Sequence, residues 1–167
     1  MSSKQKYQNS RCYLDQQTNE ILSYRPITGA LTKNIICFQS KLEAKVFQII
    51  ARHYQNHCVQ LQHPIQLKAV TEYSAALKYF CDFVVMKPIG FRDFKDRNES
   101  DYLFREAKGA ITPEASRKLK MLEIVEPTIR KRLLIVSAKP QFYFGKKYPP
   151  SIDLIQLEAR LIQFKND

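Results

Sequence analysis

The sequence FREAKG at residues 104–109 closes an apolar segment that begins at Asp101. We expect this segment to be a β-strand, because its apolar residues are bounded by polar stretches on both sides. Side chains alternate along a strand, so Glu106 and Lys108 are predicted to point to the same face. The strand therefore presents an acid and a lysine side by side, two residues apart.

The clearest helix start in the chain follows this strand. Thr112 is a suitable N-cap, Pro113 fits the first helical position, and Glu114 favours the positive end of the helix dipole. Pro127 is predicted to end the helix, since proline lacks a backbone N–H. The apolar segment 132–138 is the next predicted strand. A helix that connects two strands implies a crossover, so these strands are expected to be parallel neighbours in a mixed sheet.

Three further elements are predicted upstream. Apolar residues recur at helical spacing from Leu42 to about Tyr54, which indicates a helix. Alternating residues over 59–67 predict a strand in which Pro64 favours an edge position or a bulge. Leu77 to Met86 is predicted to be a strongly apolar strand. The order from residue 40 to 138 is thus helix, strand, strand, strand, helix, strand.

Asp82 is a single carboxylate within this apolar strand. Phe80, Val84 and Met86 are predicted to share its face, which argues against an ordinary exposed aspartate. A buried charge is costly unless it is paired or holds a metal. Two acids and a lysine on neighbouring strands are a plausible Mg²⁺ site for phosphodiester hydrolysis. The alternative for Glu106 and Lys108 is an ordinary ion pair on one face of a strand, worth about 0.2–1 kcal/mol.

The composition is that of a folded, strongly basic protein. Of the 167 residues, 44% are hydrophobic and 11% aromatic, and the net charge is +11. Residues 105–147 contain eleven basic and four acidic residues, a net charge of +7 that lies around and after the candidate site. This distribution favours a polyanion such as DNA as the partner. General solubility is the alternative, but it would not favour one segment.

The same composition argues against other classes of protein. No apolar run approaches the ~20 residues of a membrane span. The first residues contain no apolar signal-peptide region, so a cytoplasmic protein is expected. The four cysteines are scattered without a C-x-x-C pair, which argues against a zinc knuckle and favours reduced, mostly buried thiols.

With these residues in this order, the chain resembles the PD-(D/E)xK nuclease superfamily. The resemblance is carried by Asp82 on the second strand of the core and by Glu106-Ala107-Lys108 on the third, after an αβββαβ order of elements. More narrowly, the stretches 38–44, 78–85 and 106–113 look like those of small phage and mobile-element endonucleases related to the transposon endonuclease TnsA. The residue before Asp82 is Cys81 instead of proline, and the 24 residues from Asp82 to Glu106 include an inserted segment, 86–100.

The resemblance implies an α/β fold with a restriction-endonuclease-like core, in which helices flank a central mixed sheet. The length predicts one domain, taken as a single nuclease domain over 1–167. The resemblance covers its core at about 38–138 and leaves extensions at 1–37 and 139–167. Short strands or a hairpin are expected within residues 12–38. A last helix, capped by Ser151, is expected near the C-terminus.

The resemblance also implies roles for the site residues. Asp82, Glu106 and the backbone carbonyl of Ala107 would bind Mg²⁺, for which Mn²⁺ is expected to substitute. Lys108 would orient the attacking water or stabilise the developing phosphate charge. Glu43, on the first helix, would bind a second metal ion or act through a water. Glu43 also has the spacing of a capping box with Ser40, and capping alone would explain its presence.

Five basic residues are candidate DNA contacts: Arg117, Lys118, Lys120, Lys146 and Lys147. The alternative for the helix lysines is a solvated helix face. The predicted function is metal-dependent endonucleolytic cleavage of duplex or branched DNA, and a homodimer is expected because two strands need two active sites. A transposition-complex subunit that requires a transposase or other mobile-element partner is one alternative. An inactive DNA-binding protein of the nuclease fold is the other.

Overall fold

The computed structural model describes residues 11–25, 34–55, 58–69, 72, 75–87, 101–109, 112–137 and 151–166. The insertion 86–100 therefore lies mostly outside the described residues, as does the segment that contains Lys146 and Lys147. The chain divides into two compact units, residues 1–48 and 49–167, which are described separately.

The first unit contains a three-stranded antiparallel sheet. Its strands are β1 (Cys12–Asp15), β2 (Glu20–Leu22) and β3 (Ile35–Phe38), in the order β2-β1-β3. The predicted short strands are thus present. The rings of Phe38 and Phe47 pack with their centroids 5.4 Å apart, and they form part of the buried apolar interior of this unit.

Helix α1 (Lys41–His53) confirms the helix predicted from apolar spacing, and the division between the units falls within it. Its first turn contains the predicted capping box. The backbone N–H of Glu43 donates to Oγ of Ser40 at 3.2 Å, and the Ser40 hydroxyl donates to Oε1 of Glu43 at 3.1 Å. The first bond satisfies a backbone N–H that a helix start leaves unpaired, and the second holds the two side chains together.

The second unit is built on a four-stranded mixed sheet. Its strands are β4 (Val59–Lys68), β5 (Leu77–Met86), β6 (Tyr102–Ala107) and β7 (Leu133–Val136), in the order β4-β5-β6-β7. The first three strands are antiparallel neighbours, whereas β6 and β7 are parallel. The predicted parallel pair is confirmed, and so is the edge position expected for the proline-containing strand β4.

Two helices connect β6 to β7. Helix α2 (Pro113–Val125) begins as predicted, with Thr112 accepting a hydrogen bond from the N–H of Ala115 at 3.2 Å. A short helix, α3 (Pro127–Arg132), was not predicted. Pro127 ends α2, but it also occupies the first position of α3, where a missing N–H has no cost.

A hydrophobic core lies between α2 and one face of this sheet. Leu119 and Leu122 of α2 pack into a cluster of buried residues that includes Phe104 of β6 and Leu133 and Ile135 of β7. Because these side chains are apolar and almost fully buried, their removal from water stabilises this unit.

Helix α4 (Leu154–Asn166) ends the described chain and buries Leu157, Leu161 and Phe164. The predicted cap by Ser151 is wrong. The N-cap is Asp153, whose carboxylate accepts from the N–H of Gln156 at 2.7 Å while the Gln156 side chain accepts from the N–H of Asp153 at 3.2 Å. This reciprocal pair of hydrogen bonds is a capping box, and it lies two residues after the predicted cap.

The alternation of side chains along β5 is interrupted next to Asp82. Tyr79 and Cys81 belong to the same buried cluster as Val84, which strict alternation does not allow. The prediction that Phe80 and Val84 share a face is therefore wrong, and Phe80 is 51% exposed. Opposite this point, Gln62 of β4 has a φ of 50°, in the left-handed region that non-glycine residues rarely adopt.

None of the helices in the described ranges is long and apolar enough to cross a membrane. The four cysteines are free thiols, as predicted, and three of them are buried while Cys37 is exposed.

Candidate active site

The candidate site forms where strands β5 and β6 separate. Their paired residues run from Met86 opposite Tyr102 to Phe83 opposite Arg105, and the next residues in this register are Asp82 and Glu106. Strand β6, in contrast, remains paired with β7 as far as Ala107. Two carboxylates therefore lie side by side at the point where the antiparallel ladder ends.

Hydrogen bonds from the backbone hold these two carboxylates. The N–H of Asp82 donates to Oε2 of Glu106 at 3.1 Å, and the N–H of Ala107 donates to Oδ2 of Asp82 at 2.9 Å. Each strand thus positions the carboxylate of the other. Asp82 is 7% exposed and Glu106 is 2% exposed, so their orientation is fixed in a largely buried setting.

Lys108 is the cation of the site. Its Nζ lies 2.5 Å from Oε1 of Glu106 and 3.8 Å from Oδ2 of Asp82. The Lys108 side chain is 29% exposed, whereas the two carboxylates are buried. Asp82, Glu106 and Lys108, which the sequence analysis grouped, are brought together by the fold.

Sequence reasoning missed a fourth residue of the site. Gln62 Nε2 donates to Oδ1 of Asp82 at 3.0 Å, from the residue of β4 that has positive φ. A glutamine in an alternating edge strand looks like a solvent-exposed residue, so the sequence contains no signal for this contact. In the β4–β5 register Gln62 lies opposite Asp82, so the two side chains are cross-strand neighbours.

Burial dominates the electrostatics of the acid pair. It raises the pKa of Glu106 to about 7, with a further contribution from the negative charge of Asp82. Burial also raises the pKa of Asp82, against the opposing effects of Lys108 and of the hydrogen bonds from Ala107 and Gln62. One lysine does not fully offset the cost of two neighbouring buried carboxylates. A further positive charge would therefore stabilise their ionised forms.

The donor set can be tested against the predicted Mg²⁺. In the described ranges no three His, Cys, Asp or Glu side chains form a group that could hold a metal ion. The site itself offers two carboxylates, and Mg²⁺ is commonly bound by one or two carboxylates together with waters and substrate phosphates. Each carboxylate oxygen has two lone pairs, so a bond from an N–H leaves room for a cation. Asp82 and Glu106 fit this ion.

Glu43 lies in the first unit of the chain. Its Oε2 accepts from the N–H of Gln39 at 3.2 Å, in addition to the capping bonds with Ser40. The capping interpretation of Glu43 is confirmed. A catalytic role for the same carboxylate stays a prediction.

The candidate DNA contacts have separate environments. Arg117 and Lys120 are exposed on α2. Lys118 forms an i,i+4 ion pair with Glu114 at 2.8 Å, an arrangement typical of a solvated helix face. Lys146 and Lys147 are outside the described residues.

Comparisons with models of protein families, with curated proteins and with solved structures found no match.

Proposed function

We propose that this protein is a metal-dependent endonuclease of the PD-(D/E)xK type that hydrolyses phosphodiester bonds in DNA. The observation that carries the proposal is the convergence of Asp82, Glu106 and Lys108 where β5 and β6 separate. The sequence of elements supports it, because a helix, three antiparallel strands, a helical connection and a parallel strand follow in the order expected of a restriction-endonuclease-like core.

In this proposal Asp82, Glu106 and the carbonyl of Ala107 hold Mg²⁺ or Mn²⁺. The ion would supply a bound water of lowered pKa and a positive charge for the phosphoryl oxygens. Burial of both acids fits this role, since their raised pKa values mean that the ionised forms require an additional cation. Glu43 is proposed to assist, through a second metal ion or a water.

Lys108 is proposed to act on the substrate. Its ammonium group is the most exposed charge of the three, so a phosphate can reach it while the carboxylates remain buried. A fixed positive charge at this point would stabilise the negative charge that develops on the phosphate oxygens during attack. It would also hold the attacking water in position.

DNA is the proposed substrate because of the charge. The segment 105–147 has a net charge of +7 and includes exposed Arg117 and Lys120 on the helix that follows Lys108. Lys118, Lys146 and Lys147 are proposed to contribute further phosphate contacts. A homodimer is proposed for cleavage of both strands.

The test is cleavage of supercoiled plasmid and of a panel of branched junctions in Mg²⁺, in Mn²⁺ and in EDTA. Wild type is compared with Asp82→Asn and Glu106→Gln, which remove one charge with little change of shape. Glu123→Gln is the matched control, because Glu123 is an exposed acid on α2. We expect metal-dependent cleavage in wild type and in the control, and its loss in both site variants.

Two results would overturn the proposal. Cleavage that persists in Asp82→Asn and Glu106→Gln would come from another site or another protein. DNA binding without cleavage in either metal would instead favour an inactive DNA-binding protein or a subunit that requires a mobile-element partner.

A further inference from the structure

A second cluster of charge lies apart from the carboxylates, in a cleft of the second unit with a volume of about 300 Å³. The cleft is formed by strands β6 and β7 and by helices α3 and α4. Its lining residues are Leu103, Arg105, Lys131, Arg132, Leu134, Arg160, Gln163 and Phe164. Four of these eight residues are cationic and none is acidic.

The cleft lies on the face of the sheet opposite the α2 core. On β6, Arg105 alternates with Phe104 and Glu106, and Phe104 belongs to the core cluster. On β7, Leu134 lines the cleft whereas its neighbours Leu133 and Ile135 are in that cluster. The cleft is therefore separate from the carboxylates, although Arg105 is adjacent to Glu106 in the sequence.

Arg105 is the unusual residue of the cleft. It is 2% exposed, and its Nη1 donates to the carbonyl oxygens of Phe104 at 2.8 Å and of Arg132 at 3.4 Å. Its Nε is buried and has no hydrogen-bond partner in the part of the chain that the structure describes. A guanidinium has five N–H donors in a planar fork, and an unsatisfied buried donor costs about 1–3 kcal/mol. Basic side chains that are this deeply buried are normally paired with an acid.

No acid in the described ranges forms an ion pair with Arg105, Lys131, Arg132 or Arg160. A guanidinium stays protonated in proteins, so Arg105 contributes a full positive charge to the cleft. The repulsion and desolvation of these positive charges cost free energy, and an anion bound in the cleft would offset that cost.

We propose that this cleft is a binding site for a phosphate group, held by Arg105, Arg132 and Arg160 with Lys131 at its side. Four cations without an acid match a doubly charged anion better than a single carboxylate or chloride. Arginine forks also suit the bidentate geometry of phosphate oxygens. The volume is at the lower end of small-molecule sites, which leaves room for part of the group that carries the phosphate. This inference does not depend on the proposed nuclease activity.

The test measures binding of inorganic phosphate, acetate and chloride in EDTA at constant ionic strength, by isothermal titration calorimetry and by the change in melting temperature. Wild type is compared with Arg160→Gln, because Arg160 is exposed on α4 and its loss leaves the core intact. Lys165→Gln is the matched control, an exposed cation on the same helix that does not line the cleft. Arg105→Lys keeps the buried charge but removes the planar fork.

We expect phosphate to bind more tightly than acetate or chloride. Its affinity should fall about tenfold or more in Arg160→Gln and in Arg105→Lys, and stay unchanged in Lys165→Gln. The proposal is overturned if acetate binds as well as phosphate, if Arg160→Gln binds phosphate like wild type, or if Lys165→Gln weakens binding as much as Arg160→Gln does.

The phosphate group can come from a nucleic-acid end or from a free small molecule. Titrations with a 5′-phosphorylated oligonucleotide, its 5′-hydroxyl counterpart and adenosine 5′-monophosphate separate these sources. Tighter binding of the phosphorylated oligonucleotide than of the other two assigns the cleft to a nucleic-acid end. Binding of the mononucleotide at least as tight as that of the oligonucleotide assigns it to a free phosphate compound. Either order supports a phosphate site.

Discussion

The backbone N–H of Asp82 donates a hydrogen bond of 3.1 Å to the carboxylate of Glu106, 24 residues further along the chain. In a regular antiparallel pair this N–H would be offered to a backbone carbonyl. Here a side chain takes that place because the β5–β6 ladder ends one residue earlier. The two carboxylates are thus held by backbone N–H groups of β5 and β6, at the point where these strands separate.

Lys108→Met should abolish most of the proposed activity. The variant removes the positive charge that lies closest to both carboxylates, so we expect cleavage to fall about 100-fold or more. Circular dichroism should show that the fold is retained, since Lys108 is partly exposed. Lys68→Met, an exposed lysine at the end of β4, serves as control and should cleave like wild type. Equal activity of the two variants would contradict a catalytic role for Lys108.

Without divalent metal, stability should fall as pH rises through the range of Glu106. The pKa of Glu106 is raised from 4.5 to about 7, so the folded state binds this proton more tightly than the unfolded state does. The contribution of Glu106 to the free energy of unfolding is therefore highest below about pH 4.5, where the group is protonated in both states. It decreases by up to about 3 kcal/mol as the pH approaches and passes 7. Urea denaturation between pH 4.5 and 8 measures the decrease, which Glu106→Gln should largely remove. Parallel curves for wild type and variant would refute it.

Mg²⁺ should stabilise the wild-type protein, and more at pH 8 than at pH 5.5. Metal ligands must be deprotonated, and the raised pKa values of Asp82 and Glu106 make protons compete with the ion at low pH. At a concentration ten times the dissociation constant the gain is about 1.4 kcal/mol. Thermal denaturation with and without Mg²⁺ measures it. Glu106→Gln should show little gain at either pH, and a pH-independent gain in wild type would indicate binding elsewhere.

Gln62 should position Asp82, and two substitutions distinguish the effect of its side-chain amide from the effect of its backbone conformation. Gln62→Ala and Gln62→Gly both remove the 3.0 Å hydrogen bond to Asp82, so both should lower metal affinity or cleavage by about 10–100-fold. Only glycine tolerates the φ of 50° without strain, so the glycine variant should be the more stable by about 1 kcal/mol. If the glycine variant cleaves like wild type and only the less stable alanine variant loses activity, Gln62 has a structural role alone.

Glu43→Gln separates capping from catalysis. The amide oxygen can still accept the hydrogen bonds of the capping box, so stability should change by less than about 0.5 kcal/mol. If Glu43 assists the metal, cleavage should fall at least about tenfold because the charge is lost. Ser40→Ala is the complementary variant, expected to cost about 1 kcal/mol of stability with cleavage retained. Full activity in Glu43→Gln would leave Glu43 with capping alone.

Much of the fold could be predicted from local patterns. Apolar spacing identified α1, the run from Leu77 to Met86 identified β5, and Thr112 with Pro113 marked the start of α2. These predictions succeeded because each depends on a period or a cap that neighbouring residues create. The cap of α4 was predicted wrongly although its signal is local, since Asp153 has a glutamine three residues later for a capping box whereas Ser151 does not.

The acid pair and its lysine were visible as residue types at particular spacings, whereas their environment was not. Gln62 became part of the site through its place opposite Asp82 in the β4–β5 register, and Arg105 became a buried cleft residue through packing against α3 and α4. A sequence does not distinguish a buried arginine from an exposed one when both occur in a strand.

The sequence by itself determined the order of the elements from residue 40 to 138 except for α3, the parallel pair and the residues Asp82, Glu106 and Lys108, because periodicity and caps are local properties. Only the tertiary structure decided where β5 and β6 separate, which backbone N–H groups hold each carboxylate, and how deeply the charges are buried. Those features depend on contacts between residues far apart in the chain, and burial is what shifts a pKa or leaves one N–H of a guanidinium without a hydrogen bond.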